Sequence, residues 1–227
     1  MPLYGEPEAW MCQPWVVIEG PDGAGKTTVL ELFVKKLAIR GIDISSVASK
    51  QLPRKLTNAS SLVKAHFFAL HRCILAEEIL WPHVLGQANT ETKNLKWLVV
   101  DRWLDSGYAY QVRYEKFPKF RFSAINQFCC NLLTPNLTFI LTCSSETAAS
   151  RLQKRDGALT PFDIHKHRTL SKAYLKLVMR RLALPNGKKP RRILVDAEGT
   201  PDEISDKLVN LWESERVYPE KGMIKLL

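Results

Sequence analysis

A chain of 227 residues with 45% apolar and 25% charged residues, 11 Gly and 13 Pro has ordinary globular composition, which excludes a mainly disordered or collagen-like protein. Its 33 Lys and Arg against 23 Asp and Glu leave a formal net charge of +10. The longest apolar stretches, such as Trp97-Leu98-Val99-Val100, fall far below the ~20 residues of a membrane helix, and MPLYGEPEAW has neither the basic nor the apolar region of a secretory signal.

In chain order, residues 1–14 read as an irregular N-terminal extension. Trp15-Val16-Val17-Ile18 is a short continuous apolar run, expected of a strand buried on both faces. A glycine-rich turn follows from Gly20 to Gly25. Leu30, Phe33, Val34, Leu37 and Ala38 then recur at helical spacing until Gly41. A second strand is expected over 42–48 and a loop opening at Pro53. Helical spacing returns over 62–85, with Pro82 bending the helix or starting a new segment. Residues 86–95 look like a surface loop, and 97–100 like a third strand ending at Asp101. Residues 113–121, basic and aromatic with Pro118, predict a loop before a helix over 124–133. A fourth strand (137–142), a helix capped at Ser145 and broken by Gly157, a long helix (163–184) and a fifth strand (193–195) follow. Thr200-Pro201-Asp202-Glu203 is a capping box with proline at the first helical position, opening a helix to about residue 215. Strands alternating with helices predict an α/β domain over 15–215, a parallel sheet covered on both faces, with 216–227 as a C-terminal tail.

Five cysteines (Cys12, Cys73, Cys129, Cys130, Cys143) are an odd set without C-x-x-C spacing. They argue against a disulfide framework or zinc site and for a reducing compartment, the cytoplasm with the nucleus as an alternative. Between Arg151 and Arg192 stand thirteen Lys or Arg, opposed only by Asp156 and Asp163. A solvated helix face and basic loop account for such a run; a field for nucleotide phosphates or a nucleic-acid backbone is the functional alternative.

Gly20-Pro21-Asp22-Gly23-Ala24-Gly25-Lys26-Thr27 fits G-x-x-x-x-G-K-[ST], directly after a buried strand and opening a helix. Glycines let the backbone curl so that its N–H groups converge on an anion, and the helix N-terminus adds positive partial charge. Lys26 is placed to reach the β and γ phosphates of ATP, with Thr27 as a Mg²⁺ ligand. Asp101, at the carboxyl end of the third strand, is the expected second acid near the metal, and Arg102 can face the same phosphates.

Further segments resemble one family, the thymidylate kinases among the P-loop nucleoside monophosphate kinases. Asp101-Arg102-Trp103 followed by Ser106-Gly107-Tyr108-Ala109-Tyr110-Gln111 is similar to the family's D-R-Y and S-x-x-A-Y-Q stretch. Phe67-Phe68-Ala69-Leu70-His71-Arg72 resembles its L-F-x-x-x-R segment, Pro135-Asn136-Leu137-Thr138 its P-D-L-T, and Val195-Asp196-Ala197 its V-D-A. Order and spacing hold from about Trp15 to Glu215.

The resemblance implies a three-layer P-loop kinase fold with a five-stranded parallel sheet and a short lid over about 151–163. It implies transfer of the γ-phosphoryl of ATP to dTMP with Mg²⁺, and a homodimer. The ATP side would be Gly20, Gly23, Ala24, Gly25, Lys26, Thr27 and Thr28, with Arg151 stacked on adenine. Phe68 would stack on the acceptor base and Arg72, four residues on and hence on the same helix face, would hydrogen-bond a thymine carbonyl. Arg102 would hold the acceptor phosphate and the phosphoryl in flight, Arg54 would grip the monophosphate, and Ser106, Gly107 and Gln111 would lie near the base. Tyr110 would stand beside the sugar, and Asp22 at its 3′-hydroxyl.

The lid departs from the family pattern. Position 23 is Gly, so the phosphate-loop Arg of some members is absent, and Pro161 replaces the usual lid Arg. Arg155 or Lys154 is therefore expected to supply the charge, with Arg168 and His165 as further candidates. Alternatives are a kinase for another pyrimidine monophosphate, a deoxynucleoside kinase using Glu19 as base, and a nucleic-acid-binding P-loop protein.

Overall fold

The computed structural model describes residues 13–48, 58–85, 96–130, 133–157, 161–183, 187 and 189–215. Five strands, β1 (Trp15–Glu19), β2 (Ile44–Val47), β3 (Trp97–Asp101), β4 (Leu137–Thr142) and β5 (Arg192–Asp196), form one parallel sheet in the order β2-β3-β1-β4-β5. The two apolar runs without alternation, β1 and β3, are buried throughout, as strands covered on both faces must be. Asn136 fixes the register at the start of β1: its Oδ1 accepts the Trp15 N–H and its N–H donates to the Trp15 carbonyl, both at 3.0 Å.

Alternate residues of the central strand face two cores. Val16 and Ile18 join Phe139, Leu141 and Val195 beneath α1 (Lys26–Ile39) and α8 (Pro201–Glu215), which contribute Phe33, Leu37, Leu208 and Trp212. Trp15 and Val17 pack on the other side with Leu98 and Val100 against α2 (Ser61–Leu75) and α5 (Lys119–Cys130). A third cluster seats α7 (Pro161–Met179) through Leu170, Ala173, Tyr174 and Leu177 on Ile140. The result is the three-layer α/β architecture expected from the strand–helix alternation.

Two helical segments depart from the sequence expectation, both through π-type winding. After α2, residues Ala76–Leu80 form a π turn before α3 (Trp81–Val84), where the Trp81 N–H bonds back to the Ala76 carbonyl. Pro82, which has no N–H, therefore enters just after a turn whose bonding is already offset, and the helix continues. After the short α4 (Leu104–Gly107), Tyr108–Tyr114 is a second π segment, and α5 starts at Lys119. The loop expected over 113–121 is thus confined to 115–118, with helical residues on either side. Pro118 acts as a starter, its carbonyl accepting the Phe122 N–H at 3.0 Å, while Phe117 and Phe122 are buried. Of the aromatic and basic residues that suggested a loop, Arg113, Tyr114, Lys119, Phe120 and Arg121 belong to the flanking helical segments, while Lys116 and the buried Phe117 lie in the short link between them.

The cap of α6 (Ser145–Asp156) is Ser144 rather than Ser145: Ser144 Oγ accepts the Thr147 N–H at 3.1 Å. Gly157 ends this helix in the left-handed region, as expected. The capping box of α8 forms, with Glu203 accepting the Thr200 N–H at 2.8 Å and Thr200 Oγ1 accepting the Glu203 N–H at 3.3 Å. Cys73 and Cys143 are free thiols. Among the described residues no helix is long and apolar enough to cross a membrane. Arg54 and Ala158–Thr160 lie outside the described residues.

Candidate active site

The turn between β1 and α1 sits at the carboxyl edge of the sheet's central strand. Gly20 has φ 145°, and a Cβ there would meet the Leu141 carbonyl oxygen at 2.3 Å, so only glycine allows the loop to lie this close to β4. Gly25 precedes α1 with φ 82° and offers no side-chain cap, which leaves the first amides of the helix for a ligand. Thr27 and Thr28 are exposed at the helix start. Lys26 folds back over the loop, its Nζ donating to the Pro21 carbonyl at 2.6 Å. Burial, reinforced by the Arg102 guanidinium, pulls its ammonium down to about 7. An anion in the loop would reverse that shift.

Parallel pairing sets Asp101 beside Ile18, and the Arg102 N–H continues the ladder onto the Ile18 carbonyl at 3.0 Å. Asp101 is buried, and its Oδ1 has no hydrogen-bond partner among the described residues. A buried carboxylate oxygen left open at the carboxyl end of a strand fits a site completed by a cation or its water. Arg102 takes φ 69°, a left-handed conformation that costs a non-glycine residue about 1–2 kcal/mol. The surrounding bonds hold it there. Nη1 donates to the Gly20 carbonyl (3.2 Å) and Ser106 Oγ (3.0 Å), and Nη2 to Asp22 Oδ1 (2.8 Å).

Asp22 is the hub of the loop. Besides Arg102, it accepts the Tyr110 hydroxyl on Oδ1 at 2.7 Å and the Lys166 ammonium on Oδ2 at 3.1 Å. Burial would raise its carboxyl, but Arg102, Lys26 and Lys166 outweigh burial and hold it well below the usual carboxylate range. The Tyr110 ring carries Arg102 Cζ at 5.2 Å and Lys166 Nζ at 5.5 Å from its centroid. Burial raises the Tyr110 phenol, which stays a neutral donor.

Beneath this layer lies a buried polar support. Glu19 accepts the Trp103 N–H (2.7 Å) and Ser106 N–H (3.1 Å) on one oxygen, and the Ser106 (2.5 Å) and Tyr174 (3.2 Å) hydroxyls on the other. Burial, and then the Asp105 carboxylate, raise its pKa. Asp105 itself pairs with Arg192, Nε to Oδ2 at 2.6 Å and Nη2 to Oδ1 at 2.8 Å, both side chains being buried. This bidentate pair ties α4 to β5.

The other end of the site begins at Gly107, next to Ser106. A Cβ on Gly107 would lie 2.8 Å from the Phe122 ring and 3.2 Å from an Arg72 guanidinium nitrogen. Arg72 is buried, its Nε donating to Asn126 Oδ1 at 2.8 Å and its Cζ 5.9 Å from the Phe122 ring centroid. Phe68, one turn earlier on α2, is half-buried with its ring edge-on to Phe67. Gln111 is buried with its Oε1 unpartnered among the described residues, a second open acceptor.

On the opposite flank, Arg151 of α6 donates to the Gly23 carbonyl (3.5 Å) and, through Nη2, to the Gly199 carbonyl (2.8 Å). Arg155 is exposed one turn later. Arg168 is mostly exposed, 4.0 Å from Glu146 on α6. The structure therefore gathers Gly20, Asp22, Arg102, Ser106 and Tyr110 in one bonded set, with Lys26 bonded to the same loop at Pro21, and Arg72 with Gly107 in a second that adjoins it. Sequence reasoning missed Asn126, Tyr174 and above all Lys166. A signal for Lys166 existed: it stands at helical spacing with Leu170, Ala173, Tyr174 and Leu177, so a lysine is presented on the buried face of α7.

A loop of glycines and open amides, a lysine and an arginine over it, and an open acid at the neighbouring strand end define a P-loop phosphotransferase. The comparisons agree at the level of family. The family model described as Thymidylate kinase matches residues 18–205. A thymidylate kinase of Bacillus cereus is 30% identical over 218 residues, covering 86% of this chain and 98% of that protein. One of Mycoplasma genitalium is 30% identical over 179 residues, covering 72% and 81%. One of Oenococcus oeni is 28% identical over 215 residues, covering 87% and 93%. The chain belongs to the thymidylate kinase family.

Proposed function

We propose that the protein transfers the γ-phosphoryl of ATP to dTMP, giving dTDP. The observation that carries this is the position of Arg102, whose guanidinium spans the phosphate loop at Gly20 and Asp22 and, through Ser106, the Arg72–Gly107 end. One cation thereby faces both the donor phosphates and the place of an acceptor phosphate.

The loop amides and Lys26 bind the triphosphate, with Gly23, Ala24, Gly25, Thr27 and Thr28 completing that side and Arg151 set against the adenine. Thr27, exposed at the helix start, and Asp101, with its open oxygen, would hold Mg²⁺, which neutralises charge between the phosphates. Arg72 hydrogen-bonds the base from inside its Asn126–Phe122 setting, Phe68 stacks on it, and Gln111 supplies an acceptor nearby. Tyr110 and Asp22 flank the sugar, and Arg54 remains a candidate for the monophosphate. Arg102 keeps the acceptor oxygen in line with the γ-phosphorus. Phosphoryl transfer needs such positioning and charge rather than a protein nucleophile. A lid over about 151–163, including Arg155, closes on the phosphates and limits loss of ATP to water.

The deoxynucleoside kinase alternative loses its base: both oxygens of Glu19 are engaged by buried N–H and O–H donors. We further propose a homodimer in the cytoplasm. Leu62, Val63, Leu70 and Ile74 on α2 and Phe120 on α5 form an exposed apolar set that a second copy would cover.

A coupled assay with ATP and Mg²⁺ against dTMP, dUMP, UMP, dCMP and thymidine tests the substrate. dTMP is expected to give the highest kcat/KM, and thymidine none. A preference for another monophosphate, or for thymidine, overturns the assignment.

A further inference from the structure

Lys166 stands with Asp22, Lys26 and Arg102 as a charged residue at the phosphate loop, bonded to it through Asp22, and neither the phosphate-loop motif nor the family segments contain it. Its ammonium lies 3.1 Å from Asp22 Oδ2, while Arg102 holds Oδ1 at 2.8 Å. Arginine and lysine thus bracket a single carboxylate at the mouth of the phosphate loop, and both lie against the Tyr110 ring. Two cations spaced to share one small anion are spaced to share a phosphoryl group. Asp22 and Lys166 are only partly covered, with side-chain exposures of 35% and 29%, so an incoming phosphate can reach the ammonium. Lysine's long stem allows the exchange.

The placement is rigid at its base. Lys166 sits five residues into α7, on the face that buries Leu170, Tyr174 and Leu177. Tyr174 pins this face to the site, its hydroxyl donating to Glu19 and lying 2.8 Å from Ser106 Oγ. Position 23 of the loop is Gly and α7 begins at Pro161, so neither position offers a cation.

We propose that Lys166, carried on the core face of α7, supplies the transition-state cation of the phosphoryl transfer, opposite Arg102. Asp22 holds it in place before substrates arrive. In the step, an acceptor-phosphate oxygen forms a bond to the γ-phosphorus. The bond from that phosphorus to the β–γ bridging oxygen breaks, its electron pair leaving with ADP, and Lys166 contributes charge only. The assignment rests on the phosphotransferase reading and differs from a charge delivered by Arg155 of the lid, because the Lys166 ammonium already stands against Asp22 of the phosphate loop.

The test is steady-state kinetics on K166M, K166R, D22N and D22N/K166M, each checked for native circular dichroism. K166M is expected to lower kcat by about 100-fold with KM for ATP within about threefold, and K166R to recover at least about tenfold. The loss on removing Lys166 should persist in the D22N background. A kcat for K166M within about threefold of wild type overturns the proposal. So does disappearance of the K166M effect once Asp22 is replaced, which would make Lys166 a partner of Asp22 alone. If wild type instead prefers another acceptor, the dTMP assignment falls, and the same series on that acceptor still decides the role of Lys166.

Discussion

At the phosphate-loop end of the site, most of the polar groups come from one stretch, Gly20–Thr27, and from Asp101 and Arg102 at the tip of the strand beside it, with Tyr110 and Lys166 joining through Asp22. At the other end, Arg72, Gly107, Phe122 and Asn126 come from three different helices and meet only on folding. The first end is dense in charge and partly open; the second is buried, with a guanidinium against an aromatic ring and an amide. Charge near water can be rearranged by a ligand, whereas a buried guanidinium is committed to its geometry. The first end therefore suits a reacting group whose charge changes, and the second suits recognition of an uncharged base.

Substitutions should separate the ends in that order of size. Lys26→Ala is expected to cut turnover by about 10³-fold or more while the thermal midpoint stays within a few degrees, measured by a coupled assay and calorimetry. Near-normal turnover would break the phosphate-loop assignment. Arg102→Gly removes the guanidinium and relieves the φ 69° strain, so kcat should fall by about 10²–10³-fold without a matching loss of stability. A large drop in stability would mean that the side-chain bonds outweigh the strain. At the second end, Arg72→Met should raise KM for dTMP by about 10–100-fold and change kcat far less. Gly107→Ala, whose Cβ would crowd Phe122 and Arg72, should give a weaker effect of the same kind, about tenfold. A kcat-dominated loss in either would erase the contrast between the ends.

A pH experiment sharpens the comparison without substitution of the chemistry. Free Lys26 is held near 7 by burial and Arg102, so at pH 8 it is largely neutral. A bound triphosphate restores its charge, so ATP binding at pH 8 should take up as much as one proton, and at pH 6 almost none from this group. Calorimetry in two buffers of different ionisation enthalpy reads this directly, and the uptake should vanish in K26M. The unliganded protein should also gain stability from this group as pH rises. Between about 7 and 10.5 the unfolded lysine binds more protons than the folded one, so its unfavourable contribution is full below about 7 and is relieved as pH rises through that window.

Much of the fold was legible because its signals are local. Continuous apolar runs marked β1 and β3, the capping box marked α8, and Gly157 marked the end of α6. The loop expected over 113–121 narrows to 115–118, because π winding carries the preceding helix past the 3.6-residue period as far as Tyr114 and Pro118 starts α5 directly after it. The same holds for the site. The loop and Asp101-Arg102 are contiguous and readable, and their family segments pointed to Arg72. Asn126 lies 54 residues from its partner Arg72, and Lys166 lies 144 from Asp22, distances at which no sequence period connects two side chains.

From the amino acids alone came the strand–loop–helix that curls around phosphate, the order of strands and helices, and the family segments, since each depends on neighbours within a turn or two. Only the packed molecule decided that Glu19 is buried support rather than a base, that Asp22 gathers three partners from separate elements, and that the inward face of α7 delivers a lysine to them. Burial and ion pairing between distant elements depend on how layers stack, and that information resides in the whole chain at once.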